Sequence, residues 1–197
     1  SVDAVFGCHL WGPMLENTAQ IISGAMMAGV DTFELEFIGK GGHGAHPHTT
    51  IDPIVMAAKF ISDVQTLVSR RLKPVEAGVV TIGYIQAGTT YNIIPQNAIL
   101  KGTARFLSDE VQKILQNGIE QIASCVASEF GGKYKLNYMR EYPPLLNDKA
   151  MAELAQKAFG KVLGEENIIK EARADMGAED FAFLTKERKG AYLFVGI

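Results

Sequence analysis

The sequence is poor in cysteine, in excess basic charge and in long apolar runs. Only two cysteines, Cys8 and Cys125, occur in 197 residues, which excludes a disulfide scaffold. Both lie in apolar surroundings and read as buried free thiols of a reducing compartment. Lys and Arg total 19 against 22 Asp and Glu, a net charge of −3. The clustered basic excess of a nucleic-acid binder is missing. No apolar stretch approaches the roughly 20 residues that cross a bilayer. The first residues lack the cationic-then-apolar pattern of a signal peptide. The expectation is a cytoplasmic protein with neither nucleic acid nor membrane as partner.

What is present is the composition of a globular domain, 47% hydrophobic and 21% charged. Both ends are strand-like, at residues 2–10 and 191–197. Chain ends are usually polar and loosely held, so the sequence reads as an internal piece of a longer protein. Residues 2–9 read as a buried strand and 10–17 as a loop. Residues 19–30 stay ambiguous, because Gly24 and Gly29 weaken a helix. Residues 32–38 alternate, with Phe33, Leu35 and Phe37 on one side and Glu34 and Glu36 on the other, as in a half-exposed strand.

A Gly/His loop follows at 39–50. The spacing then predicts an amphipathic helix over 51–72, with Thr50 as N-cap, Pro53 in the first turn, and Ile54, Ala58, Ile61, Val64 or Gln65, Val68 and Leu72 inward. Residues 78–87 and 98–107 read as strands joined by a turn-rich connection. Ser108 caps a second helix, buried through Val111, Ile114, Leu115, Ile119, Ile122 and Val126, and Gly131-Gly132 stops it. Residues 133–140 alternate again. Asn147 opens a third helix that Gly164 ends. Residues 32–142 thus run strand, helix, strand, strand, helix, strand, the order of a split-βαβ, ferredoxin-like α+β sandwich. It is inserted into a second domain made of residues 1–31 and 143–197.

Several motifs admit two readings. Gly39, Gly41 and Gly44 match G-x-G-x-x-G after a strand, with Asp63 downstream. His46-Pro47-His48 separates them from the next helix, however, and Asp63 falls inside that helix, unlike a dinucleotide fingerprint. His46 and His48 could share one face of an extended segment as metal ligands, but zinc needs three or four. Solvated imidazoles fit them as well. His43 stands among glycines, which allow close backbone approach to a ligand. It is a candidate for hydrogen bonding to a substrate or transition state. His9, near the end of an apolar strand, reads as a structural residue or a ligand. Asn92 reads as a turn residue, and Arg105 as an edge-strand charge or a carboxylate-binding fork. Glu179 and Asp180 lie in a Gly-containing loop.

Taken in order, GCHLWGP (7–13), SGAMMAGVDTFELEFIGKGGHGAHPH (23–48), IDPIVMAA (51–58), GTTYNIIPQNAILKGTARF (88–106) and MGAEDFAF (176–183) resemble the dinuclear-metal amidohydrolases of the aminoacylase and carboxypeptidase superfamily. The N-acyl-amino-acid amidohydrolase branch, which includes hippurate hydrolases, is the most similar. The resemblance implies an α/β metallopeptidase-type catalytic domain with an inserted lid that also makes a homodimer. It implies two divalent ions (Zn, Mn, Ni or Co) that activate a water, and hydrolysis of the amide bond of N-acyl amino acids or similar small substrates. His9 would be a metal ligand. His43 would reach the partner subunit's site and stabilise the oxyanion, Asn92 would hold substrate, and Arg105 would bind its carboxylate. Glu179 and Asp180 match the family's Glu-Asp loop without an assigned role. The family's other ligands, a Cys and His, a Glu of a Glu-Glu pair and a late His, have no counterpart here. The chain is therefore expected to lack a complete metal site and to be inactive alone. The competing readings are a non-catalytic dimerisation module and an anion-binding α/β domain.

Overall fold

The computed structural model describes residues 2–197. In chain order its elements are β1 (Ala4–Trp11), β2 (Ala19–Gln20), β3 (Gly24–Met27), β4 (Gly29–Ile38), β5 (Gly42–His43), α1 (Pro53–Thr66), β6 (Gly78–Ala87), β7 (Ile93–Ile94), β8 (Asn97–Phe106), α2 (Asp109–Glu129) and β9 (Lys133–Tyr142). They continue as β10 (Leu145–Asn147), α3 (Lys149–Leu163), β11 (Ile168–Ile169), α4 (Ala182–Glu187) and β12 (Lys189–Gly196). The fold is mixed α/β. The chain divides into two compact units. The first holds residues up to Val30, Leu107–Asp109 and Tyr142–Ile197, and the second holds Asp31–Phe106 and Glu110–Glu141.

In the first unit a sheet runs in the order β1-β12-β2-β11, and β3 pairs with β10 in a separate ribbon. β12 lies between two neighbours and is buried almost throughout, which suits its continuous apolar run AYLFV. β1 pairs with β12 in parallel, Gly7 opposite Tyr192 and His9 opposite Phe194. It is an edge strand, and Phe6 and Leu10 stay exposed. Residues 2–9 are therefore not a buried strand: within this unit β1 has a neighbour on one side only. Cys8 and Cys125 are free as expected, but both are exposed rather than buried.

Asn147 does not open the third helix. It ends β10 and is buried, its Nδ2 donating to the carbonyls of Ile22 and Tyr192, each at 2.8 Å, while its Oδ1 accepts from the Tyr192 N–H at 2.7 Å. Asp148 is the N-cap of α3, accepting from the Met151 N–H. Gly164 ends that helix at φ +95°, a conformation glycine adopts without strain.

In the second unit the sheet order is β6-β8-β4-β9. Phe33, Leu35 and Phe37 point into the core with Phe60, Leu67, Leu100, Leu115 and Ile119. The opposite face is polar, with Lys101 on Glu34 at 2.7 Å and Lys135 on Glu36 at 3.4 Å. The α2 stripe is buried as its periodicity predicts, except that Ile114 is only half-buried. The stripe expected of α1 is buried only in part. Val64 and Leu72 face inward as expected and Ile61 is half-buried, but Ile54, Ala58 and Val68 are exposed, and Met56, Ala57, Phe60 and Leu67 face inward instead. This helix carries two apolar stripes, and the sheet takes the one whose Phe60 ring meets Phe37 edge-on at 5.8 Å. Its N-cap is Asp52 rather than Thr50, accepting from the Ile54 N–H at 2.8 Å. Its last turn, Leu67–Arg71, widens to a π-helix, after which Leu72 is buried as well.

One further group is buried here. The carboxylate of Asp31 is wholly enclosed and accepts from Gln112 Nε2 and from the Tyr138 hydroxyl at 2.9 Å. Burial, and then the Asp31 charge, push the Tyr138 phenol well above its ordinary value.

Candidate functional site

The residues singled out from the sequence fall into two groups, one in each unit. In the first unit, His9 lies on β1 with its side chain 46% exposed. Its Nδ1 is 3.5 Å from Glu179 Oε2 and 3.4 Å from the Tyr192 hydroxyl. Tyr192 donates to the same Glu179 oxygen at 2.7 Å, and the Asp180 backbone N–H donates to Oε1 at 3.1 Å. Trp11 packs edge-on against the imidazole at 5.3 Å and stacks on Phe194 at 4.3 Å. Gly7 makes room for this arrangement, since a Cβ there would lie 2.8 Å from the Tyr192 ring and 2.9 Å from that of Phe181.

Partial burial pushes the Glu179 carboxyl up. Hydrogen bonds from Tyr192 and Asp180, with His9 close by, outweigh it and hold the group below the ordinary range. Burial, followed by the Glu179 carboxylate, raises the Tyr192 phenol. Tyr192 was not singled out from the sequence. Its signal lay in the pairing of two strand-like ends, which sets a tyrosine beside the glycine of GCH.

In the second unit the Gly/His loop pairs with the turn that contains Asn92. β5 and β7 are antiparallel, Gly42 opposite Ile94 and His43 opposite Ile93, and the Gly44 N–H donates to the Asn92 carbonyl at 2.8 Å. Two of the loop's glycines serve this packing. A Cβ on Gly41 would lie 2.8 Å from the Ile94 carbonyl oxygen, and one on Gly44 would lie 3.1 Å from that of Asn92. His43 and Asn92 are thereby brought together. The Ala45 N–H donates to His43 Nδ1 at 3.1 Å.

His46 and His48 do not share an extended face, because Pro47–Thr49 forms a 3-10 turn and their rings stand 6.1 Å apart at 86°. Asp63 lies within α1 and pairs with Lys59 at 3.0 Å, so the glycine pattern is no dinucleotide site. Arg105 lies on β8, an interior strand rather than an edge, opposite Val79. It lies eight positions from Asn97 at the other end of β8, about 26 Å along an extended strand. Arg105 is thus not gathered with His43 and Asn92.

Among the described residues no group of three or more His, Cys, Asp or Glu could hold a metal ion. No helix among them is long and apolar enough to cross a membrane.

The whole chain, residues 1–197, matches the model of peptidase family M20/M25/M40. It is 33% identical over 195 residues to an N-acetyl-L-cysteine deacetylase of Bacillus subtilis, covering 99% of this chain and 46% of that protein. It is 34% identical over 193 residues to a hippurate hydrolase of Campylobacter jejuni, covering 98% of this chain and 50% of that protein. Among solved structures, the Bacillus subtilis YXEP protein, described as a dinuclear metal binding peptidase from the M20 family, superposes with a TM-score of 0.80 at 28% identity. That superposition covers 99% of this chain and 48% of the other. The chain spans about half the length of the curated relatives it matches. With a match along its full length, the chain belongs to peptidase family M20/M25/M40.

Proposed function

We propose that this chain is part of a metal-dependent enzyme that hydrolyses the amide bond of N-acyl amino acids or similar small amides. Deacetylases and a hippurate hydrolase among its relatives support that substrate class. The observation that carries the proposal is the environment of His43. Its Nδ1 accepts from the Ala45 N–H, so the neutral ring bears its proton on Nε2. A neutral imidazole that can only donate at its outer nitrogen suits a developing oxyanion. Asn92, held beside it, would bind the substrate, and Arg105 would take its carboxylate with a planar fork. On this reading the length of β8 between Arg105 and the His43–Asn92 loop means that the two ends of one lid serve two different sites. A homodimer made through the lid would supply them.

The lid's two sheet edges differ. β9 carries Lys133, Lys135 and Arg140, which discourage pairing, beside the exposed Met139 and Tyr142, whereas β6 carries no charge and exposes Val79, Tyr84 and Ile85. The β6 edge is the surface we assign to the partner copy.

We infer that the described residues hold only part of the site for the metal pair. Both Glu179 oxygens already accept hydrogen bonds. His9 would supply a single ligand to a metal pair of the intact enzyme, and this chain alone would be inactive. Two free thiols suit a reducing compartment such as the cytoplasm.

The test is to assay this chain and its full-length parent on N-acetyl and N-benzoyl amino acids, with metal analysis of both. Turnover and bound metal are expected in the parent only. A parent with metal bound but no hydrolysis of either substrate overturns the proposal.

A further inference from the structure

The Glu-Asp loop has no role in the function proposed above, yet it supplies the nearest polar groups to His9. Two oxygens face His9 Nδ1, Glu179 Oε2 at 3.5 Å and the Tyr192 hydroxyl at 3.4 Å. The hydroxyl has one proton, and it is committed to Glu179 at 2.7 Å. Towards His9 both oxygens can therefore only accept. A lone pair on Nδ1 would face two concentrations of negative charge, whereas an N–H there is attracted by both. Nε2 has no partner among the described residues. The flanking Trp11 and Phe194 rings, at 5.3 and 6.4 Å, restrict rotation of the imidazole away from this pair.

We propose that Glu179, acting with the Tyr192 hydroxyl, is a positioning residue that fixes His9 as its Nδ1–H tautomer and so leaves Nε2 as an electron-pair donor. An imidazole that acts as a ligand commonly donates its other N–H to a carboxylate, which fixes tautomer and ring orientation together. The sequence GCH and the loop that carries Glu179 thus form one device. Gly7 lets the Tyr192 ring lie under the strand, Tyr192 orients the Glu179 carboxylate, and the carboxylate orients His9. The use of Nε2 rests on His9 being a site residue as proposed above. The tautomer does not, and it can be measured without any activity.

The experiment is nitrogen-15 NMR of the imidazoles of this chain at about pH 8.5, where an ordinary histidine is neutral. His9 is assigned by its loss in His9→Ala. The expected result is a proton-bearing Nδ1 and a lone-pair Nε2 at His9, in about threefold excess or more, the scale of an ordinary hydrogen bond. In Glu179→Ala the ratio should fall below parity, towards the Nε2–H form that unconstrained histidine favours. Tyr192→Phe should leave Nδ1–H dominant by a smaller factor. Backbone amide spectra of each variant establish that it is folded. If Glu179→Ala does not fold, the wild-type tautomer and Tyr192→Phe decide. A wild-type His9 protonated at Nε2, or a ratio unmoved in a folded Glu179→Ala chain, overturns the proposal. A failure of amide hydrolysis in the parent would leave it standing.

Discussion

At His9 the inner ring nitrogen faces a carboxylate and a phenol oxygen, whereas at His43 it faces a backbone N–H. One environment leaves the outer nitrogen a lone pair, and the other leaves it a proton. On the proposed reading the same side chain is prepared for opposite tasks, and charge alone would not distinguish them. The difference lies in where each sits. His9 stands on a strand whose neighbour β12 brings up Tyr192. His43 stands in a tight loop, where the amide two residues on is the nearest donor.

The largest expected effect that tests this contrast is at His43. In the parent enzyme His43→Ala should lower turnover by about 100- to 1,000-fold, the usual loss of one oxyanion donor, without preventing dimerisation. Wild-type turnover would break the comparison on that side. Next comes Gly41→Ala, whose new Cβ would press on the Ile94 carbonyl at 2.8 Å. Displacing the loop should cost up to about 100-fold in turnover, as small misplacements of reacting groups do. The NMR signals of His9 should not move. If they do, the two environments are not independent.

Tyr192→Phe is the milder change on the other side. Losing one hydrogen bond to the partly buried carboxylate should destabilise the chain by about 1 kcal/mol in a urea titration, with His43 unaffected. The smallest effect concerns pH. The Tyr138 phenol is raised above 10.0 in the native state, so above that pH the unfolded chain releases a proton that the native chain keeps. The Tyr138 contribution to stability is therefore present below pH 10.0 and lost as pH rises further. Tyr138→Phe should flatten that alkaline decline, seen as a shallower fall of Tm, while leaving His9 signals unchanged.

Much of this was legible in the sequence where one element decides the outcome by itself. Phe33, Leu35 and Phe37 alternate and are buried, and the stripe of α2 is the buried one. Where two elements decide together, the sequence was ambiguous. Ile54 and Met56 both lie on apolar stripes of α1, and only the sheet beneath selects Met56. Asn147 and Asp148 are both good caps by type, but β12 claims the first. The glycines around His43 show that something approaches closely but not what: the backbone of the turn at 92–96 lies against Gly41 and Gly44, and residues 50–53 lie against Gly42 and Gly39. Glu179 has no legible role in the sequence because His9 comes to it only through the parallel pairing of β1 with β12, which joins residues far apart in the chain.

The clamp at Asn147 has one further consequence. Its amide grips the peptide groups of Tyr192 from both sides while the phenol at the far end of that residue is held by a different group. Main chain and ring tip are anchored separately, so the tip can be redesigned without shifting the strand. Conversely, a change at residue 147 would be transmitted to the imidazole of His9 although the two never touch. Altered behaviour after such a substitution would report a lever arm, not a missing contact.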